Sequence, residues 1–402
     1  MARLVAIDLP GGEPFTRALE AVWGGGDAAF VVDRRLTGSA RRDLLALARP
    51  HRVIGGGDGQ APDPTALPLT SGDALVVATS GSTGTPKLVV HTFDGLVAHA
   101  RAVHGHLAVD ADRDRWLACL PLAHLGGLGV VVRALLTGTP VDVLDGFDAD
   151  RVASAPTTLG STLVSVVPTA LDRIDPGAYR WVVLGGAADP GPRPANVVRT
   201  YGLTETGGGV VYDGRPIGDT EVALGDDGAV RLRGSTLARG LRSPDGTVAP
   251  ITDDDGWLTT GDRGRWDGDR LVVDGRADDL IVTGGENVWP APVEAVLVTT
   301  DGATIDGILA ERDVVLALSM FGPEALDRPV ADVMSTEVVT CRLDTTVEEL
   351  MATMTERRAR HVPVVVDGHL AGVVSIGDVV KDRISWLEFE AQALHDYISH
   401  PY

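Results

Sequence analysis

The sequence predicts an α/β core followed by a smaller α+β module, and three observations carry that prediction. Up to about residue 300, short β-like runs alternate with helical patterns. Within that stretch, from Asp213 to Arg276, brief strands follow one another across DG and GD turns. Past Gly307 a glycine-led pattern occurs twice.

Taken in order, ALVVATS reads as a strand, the stretch from Leu96 to Leu107 as an amphipathic helix, and STLVSVVPT, RWVVLGG and NVVRTYG as further strands, which is the rhythm of α/β units. The segments GDDGAVRLRGS, SPDGTVAP and WDGDRLVVDGR then read as a mostly antiparallel subdomain. GILAERDVVLAL, from Gly307, is echoed by GVVSIGDVVKDR, from Gly372, an internal repeat. Ahead of the second copy, Thr345 and Glu348 predict a capping box. Val347, Leu350, Met351 and Met354 follow at helical spacing before the strand HVPVVV and a DG turn. The expected domains are 1–212, 213–300 and 303–402, the last with one full repeat over about 330–384 and a partial one over about 303–329.

Composition narrows the partners. At 44% hydrophobic and 23% charged, the 402-residue chain can bury real cores. A formal net charge of -21 argues against nucleic acid or an anionic lipid surface as the main partner. Cys119 and Cys341 fit neither a disulfide framework nor a CxxC zinc spacing. The N-terminus lacks the apolar core of a signal peptide, and apolar runs such as GLGVVVRALL are broken by charge well short of the ~20 residues of a membrane span. The expectation is a cytoplasmic protein without a membrane span.

The stretch TSGSTGTPK, Thr79 to Lys87, follows an apolar strand with glycines, hydroxyls and a lysine. Of the 35 basic residues only Lys87 and Lys381 are lysine. A strand delivering such a loop suits phosphate binding: glycines let backbone N–H groups approach, hydroxyls donate, and the ammonium is a compact charge. Pro86 stands where a Walker A loop needs glycine, so this is a different phosphate loop.

With YGLTET (Tyr201 to Thr206), GWLTTGD (Gly256 to Asp262) and DGRADDLIVTGGENVWPAPVE (Asp274 to Glu294) following in order, the chain resembles the adenylate-forming superfamily of acyl- and aryl-CoA ligases. LPLAHLGGLGVVVRALLTG and TETGGGVVYDGRP look most like the short o-succinylbenzoate–CoA ligases of menaquinone synthesis. The resemblance implies the superfamily's N-terminal core, mixed α/β sheets plus a small antiparallel subdomain. It also implies a reaction in which a carboxylic acid and ATP give an acyl-adenylate, which a CoA thiol then converts to a thioester. Phosphoryl oxygens must be clamped while the carboxylate attacks.

Carried over residue by residue, the loop Thr79, Ser80, Gly81, Ser82, Thr83 and Gly84 with Lys87 would hold the β- and γ-phosphates. Thr204 would touch the α-phosphate and Glu205 would ligate Mg2+, a hard cation suited to oxygen. Gly185, Gly186, Ala187 and Tyr201 would line the adenine slot, Asp262 and Arg276 would hold the ribose, and Asp278 would be the hinge. His124, Arg173, Gly207 and Gly208 would border the acyl pocket, where a dianionic aromatic acid wants a cation. Taken alone, Asp262 reads as a turn residue, Glu205 as a solvated loop charge, His124 as a satisfied histidine near the core and Arg173 as a helix cation.

Two departures stand out. Between Gly186 and Val197, AADPGPRPAN is too short and proline-rich for the family's extra helix. After VEAVL the family's small mobile domain, bearing the adenylation lysine, is replaced by a stretch resembling a CBS-domain pair. There Ser375 and Asp378 would meet the phosphate and ribose of an adenine nucleotide, and Asp313 is the counterpart in the partial copy, with helix N-capping the plain alternative for both aspartates. The half-repeat suggests a homodimer through this module. The leading expectation is therefore an acid–CoA ligase of impaired turnover. A non-catalytic adenine-nucleotide sensor and an artificial join of two unrelated halves are the competing readings.

Overall fold

The computed structural model describes residues 1–36, 38–55, 66–79, 86–186, 193–276, 281–283, 286–288, 295–299, 304–357, 359, 361–366, 369–376 and 379. The chain divides into two units, Met1–Asp278 and Asp279–Tyr402.

In the first unit β1 (Leu4–Asp8) and β2 (Ala28–Val31) are buried along their whole lengths, as strands covered on both faces must be. With β3 (Arg52–Gly55) and β4 (Asp73–Thr79) they pair in parallel. β5 (Lys87–Thr92) turns back antiparallel on β4, with Thr79 opposite Lys87 at the mouth of the predicted phosphate loop. A second sheet is built from β6 (Trp116–Ala118), β7 (Val141–Val143), β8 (Leu163–Val166), β9 (Trp181–Leu184) and β10 (Val197–Leu203), all parallel. It closes with antiparallel β11 (Gly208–Tyr212) and β12 (Arg215–Pro216).

Helices α1 (Glu13–Gly24), α3 (Phe93–Leu107) and α4 (Leu125–Thr137) share one core with strands of both sheets, through Phe15, Leu19, Val103, Leu128, Val77 and Trp116 among others. The outer face of the first sheet packs α2 (Gly38–Ala48), and that of the second packs α5 (Ala149–Thr158) and α6 (Pro168–Leu171). The result is helix, sheet, helix, sheet, helix. Local chemistry sets the boundaries: the Thr92 hydroxyl accepts from Gly95 N at 3.1 Å to start α3, and Gly138, at φ 69, ends α4 in the left-handed region where glycine is unstrained.

Antiparallel pairing dominates from 213 onward. β13 (Glu221–Leu224), β14 (Ala229–Arg233), β17 (Leu258–Asp267) and β18 (Arg270–Arg276) form a four-stranded sheet. The strands between them, β15 (Gly240–Arg242) and β16 (Val248–Ala249), instead return to the first sheet beside β5. There Arg239 grips the buried Asp73 with two hydrogen bonds of 2.7 and 2.6 Å. β9 and β10 are parallel neighbours joined by residues 185–196, about the shortest link such a crossover allows.

The second unit contains the hairpins β19 (Ile281–Thr283) with β20 (Glu286–Val288), β21 (Ala295–Val298) with β22 (Gly307–Ala310), and β23 (His361–Val366) with β24 (His369–Ser375). β22 runs directly into α7 (Glu311–Phe321). α8 (Val330–Val333) and α9 (Val347–Arg357) follow, and Leu350, Met354, Val362 and Val364 form a small core. The capping box falls one residue later than the sequence suggested. Thr346 N is bound by Glu349 at 3.0 Å and Glu349 N by the Thr346 hydroxyl at 3.3 Å, while Thr345 accepts from Arg342 N. TTVEE offers two T-x-x-E registers, and α9 starting at Val347 selects the second. Cys119 and Cys341 are both buried and unbridged. Among the described residues no helix is long and apolar enough to cross a membrane.

Candidate active site

Four elements converge on the motif residues. β10 delivers Tyr201, and the short 3-10 turn Thr204–Thr206 follows it and packs on β5, β10 and β11. The turn is fixed by Thr206, whose hydroxyl is bonded to Leu203 N and to the Gly208 carbonyl, and by Ala238 N donating to the Glu205 carbonyl at 2.7 Å. Among the described residues the Glu205 carboxylate itself has no hydrogen-bond or ion-pair partner. That is the state a carboxylate needs to serve a hard cation, and it fits Mg2+ held jointly with phosphate and water rather than by a protein cage. No group of three His, Cys, Asp or Glu side chains able to hold a metal occurs among the described residues.

The expected ribose and adenine residues also meet. Asp262 and Arg276 are cross-strand partners on β17 and β18, and the Tyr201 hydroxyl donates to Asp262 Oδ2 at 2.7 Å. Asp262 is buried, and its backbone N–H is taken by the Thr260 hydroxyl. Burial and the adjacent carboxylate raise the Tyr201 phenol, so it stays a donor. One Asp262 oxygen thus accepts from Tyr201. Gly185 and Gly186 close β9. Gly186 has φ 100, and a Cβ there would lie 3.2 Å from Val167 Cγ1, so both backbone conformation and space favour glycine at this position.

The residues expected at the acyl pocket each have their own neighbours. Gly207 and Gly208, at φ 75 and 129, lie against the buried ring of His99. His124 precedes α4 and accepts from Arg35 Nη2 at 2.8 Å, with Asp33 at 3.5 Å; burial and Arg35 hold it below the ordinary histidine range. Arg173 is exposed, its guanidinium 5.4 Å from the Phe147 ring centre. Ser80, Gly81, Ser82, Thr83, Gly84, Ala187, Asp278, Asp378 and Lys381 lie outside the described residues. Thr79 and Lys87 are described at the two strand ends that flank the loop, and Ser375 closes β24. Asp313 is not itself the N-cap, which is Ala310; it stands at the third position of α7 and accepts from Ala310 N at 2.8 Å and from the Ser335 hydroxyl at 3.0 Å.

Sequence reasoning missed Arg133. It sits in mid-α4, 5% exposed, with its guanidinium 4.9 Å over Trp116. Its Nε has no partner, and Nη1 reaches only the Ser165 hydroxyl at 3.4 Å. Among the described residues its charged and titratable neighbours are His99, His104 and Tyr212, none of them a carboxylate, and burial pulls its pKa below the ordinary arginine value. The same burial, with Arg133 adding to it, drives His99 to about 3 and His104 to about 4, so both rings are neutral. A Cβ on Gly129 would lie 3.5 Å from Arg133 Nη2 and 3.9 Å from the Gly207 carbonyl, which places the cation beside the expected acyl pocket. The signal was present in LGVVVRALL, one arginine in a helix otherwise apolar on every face.

Residues 57–240 match the family described as AMP-binding enzyme, and residues 330–384 match the CBS domain. The chain is 39% identical over 298 residues to a Mycobacterium tuberculosis protein named "Probable 2-succinylbenzoate--CoA ligase", covering 63% of this chain and 74% of that one. It is 32% identical over 279 residues to the 2-succinylbenzoate–CoA ligase of Bacillus licheniformis, covering 60% of this chain and 57% of the relative. Among solved structures, o-succinylbenzoate coenzyme A synthetase (MenE) from Bacillus subtilis in complex with AMP superposes with a TM-score of 0.62 at 25% identity, covering 73% of this chain and 72% of that one. The fold and the converging motifs define an adenylate-forming enzyme of the AMP-binding class. Within that class, the chain belongs to the 2-succinylbenzoate–CoA ligase family, and it carries a CBS domain after the ligase core.

Proposed function

We propose that the core binds ATP and activates o-succinylbenzoate as its adenylate, the first half of an acid–CoA ligase reaction, with CoA as the later acceptor. The observation that carries this is Arg133. A buried arginine without an acidic partner is costly unless an anion joins it, and the acid of these relatives offers a second carboxylate besides the one that reacts. In this reading Arg133 grips the remote carboxylate, the neutral His99 and His104 shape the pocket without competing for it, and Gly207 and Gly208 let the acid approach. Tyr201, Asp262 and Arg276 seat the nucleoside, and Thr204 and Lys87 orient the phosphates. Glu205 would hold Mg2+, whose chemistry is to neutralise charge on the phosphates.

The CBS domain supports a second adenine-nucleotide site at Ser375 and Asp378, with the half-repeat completed by another copy of the chain. Lys87→Ala tests the phosphate assignment. Calorimetric ATP affinity is expected to fall at least tenfold, roughly 1.4 kcal/mol, and an unchanged affinity would overturn it. Pyrophosphate release with ATP, Mg2+ and o-succinylbenzoate, and not with benzoate, tests the acid.

A further inference from the structure

We propose that His91 is a positioning residue for the nucleotide, tying the Thr204 turn to the phosphate-loop strand through a hydrogen bond to the Thr204 backbone that closes when the site is filled. The inference rests on the adenylate-forming reading above.

His91 and Lys87 stand near opposite ends of one strand, β5, so a group held by His91 is held in register with the loop lysine. The His91 ring is 1% exposed and addresses the Thr204 backbone, yet neither Nδ1 nor Nε2 completes a hydrogen bond. Burial keeps the ring neutral, down at about 4, so it carries one donor and one acceptor.

The far side of the same turn is already fixed. His99, from α3, donates through Nε2 to the Gly209 carbonyl at 3.0 Å, and a Cβ on Gly208 would come within 3.2 Å of its ring. Two buried histidines therefore bracket the Thr204–Gly208 segment, one bonded and one not. A buried polar group left without a partner is unfavourable, and closing its bond relieves that. The free arrangement thus favours the small displacement of Thr204 that would bring its backbone onto His91. Thr204 is the residue expected at the α-phosphate, so the ligand that attracts the turn and the histidine that receives it act in the same direction.

The test is calorimetric titration of ATP into the full chain and into His91→Leu and His91→Gln. His91→Leu removes an unpaired polar group and is expected to melt no lower than the parent, while its ATP affinity falls about tenfold. His91→Gln, whose amide supplies both a donor and an acceptor, is expected to recover affinity to within about threefold. In the parent, the 15N resonances of the His91 ring should move on ATP addition, a readout that survives even if the leucine variant folds poorly. Equal ATP affinity for parent and His91→Leu, or unmoved ring resonances with ATP bound, would overturn the inference and leave the ligase reading standing. A parent that bound no ATP would overturn both.

Discussion

Arg133→Met is expected to weaken o-succinylbenzoate binding by about 2–5 kcal/mol, roughly thirtyfold or more in affinity, because the variant removes one member of a buried charge pair. The same substitution should leave the melting temperature unchanged or raise it. Among the described residues no carboxylate stands beside the guanidinium, which is buried over Trp116 with its Nε unbonded and its Nη1 on a 3.4 Å contact. Methionine keeps much of the volume and removes the desolvated charge. Opposite signs for binding and stability distinguish a ligand-binding arginine from a structural one. Calorimetry with the acid and thermal unfolding on the same preparations read both, and an unchanged acid affinity would end the assignment. Arg133→Lys should recover little, since a point charge cannot reproduce the two-pronged grip on a carboxylate.

The second large effect concerns turnover by the 402-residue chain. The resemblance implies that adenylation draws on a lysine from a small domain following the hinge, and here the CBS match occupies 330–384 instead. Losing such a preorganised charge costs about 10²–10³ in rate. Pyrophosphate release is therefore expected to be slower than that of a full-length family member by that factor. Thioester formation is expected to be slower still, because the same domain builds the thiol channel. The proposed reading gives Lys87 to the phosphates, and the other lysine, Lys381, stands in GDVVKDR, unlike the family's lysine segment. Assays of pyrophosphate and thioester on the parent and on Lys381→Ala decide it. Ordinary turnover that Lys381→Ala abolishes would show the CBS-bearing stretch acting in the small domain's place.

What the sequence made legible is what chain contiguity carries. TSGSTGTPK, YGLTET and GWLTTGD each hold their chemistry within a few residues, so the Thr204 turn and Asp262 could be named before their geometry was seen. The partnership of Tyr201 with Asp262 depends on β10 meeting β17, which no local pattern encodes. His91 and His99 were invisible for the same reason, whereas Arg133 left a local trace as the one arginine of LGVVVRALL. A histidine is ordinary in a sequence, and only α3, α4, β5, β8 and β11 folding together make these three buried, neutral or unpaired. Local ambiguity accounts for the shift from Thr345 to Thr346, where two equivalent capping registers differ only in where α9 begins. The return of β15 and β16 to the first sheet was hidden because hairpin chemistry specifies a turn and leaves its sheet unspecified.

The pairing of β21 with β22 sets where this protein can be cut. By sequence the ligase resemblance runs to Val298, which makes that residue the natural place to truncate. By folding, the boundary falls at Asp278, and residues 295–298 spend their backbone hydrogen bonds on 307–310. A chain ended at 298 would carry away half of a two-stranded ribbon, a row of unanswered amides and carbonyls ready to recruit a strand from any neighbour. Ended at 278, it would leave every strand of both large sheets with its partner. Ancestry and solubility thus prescribe different scissors for the same polypeptide.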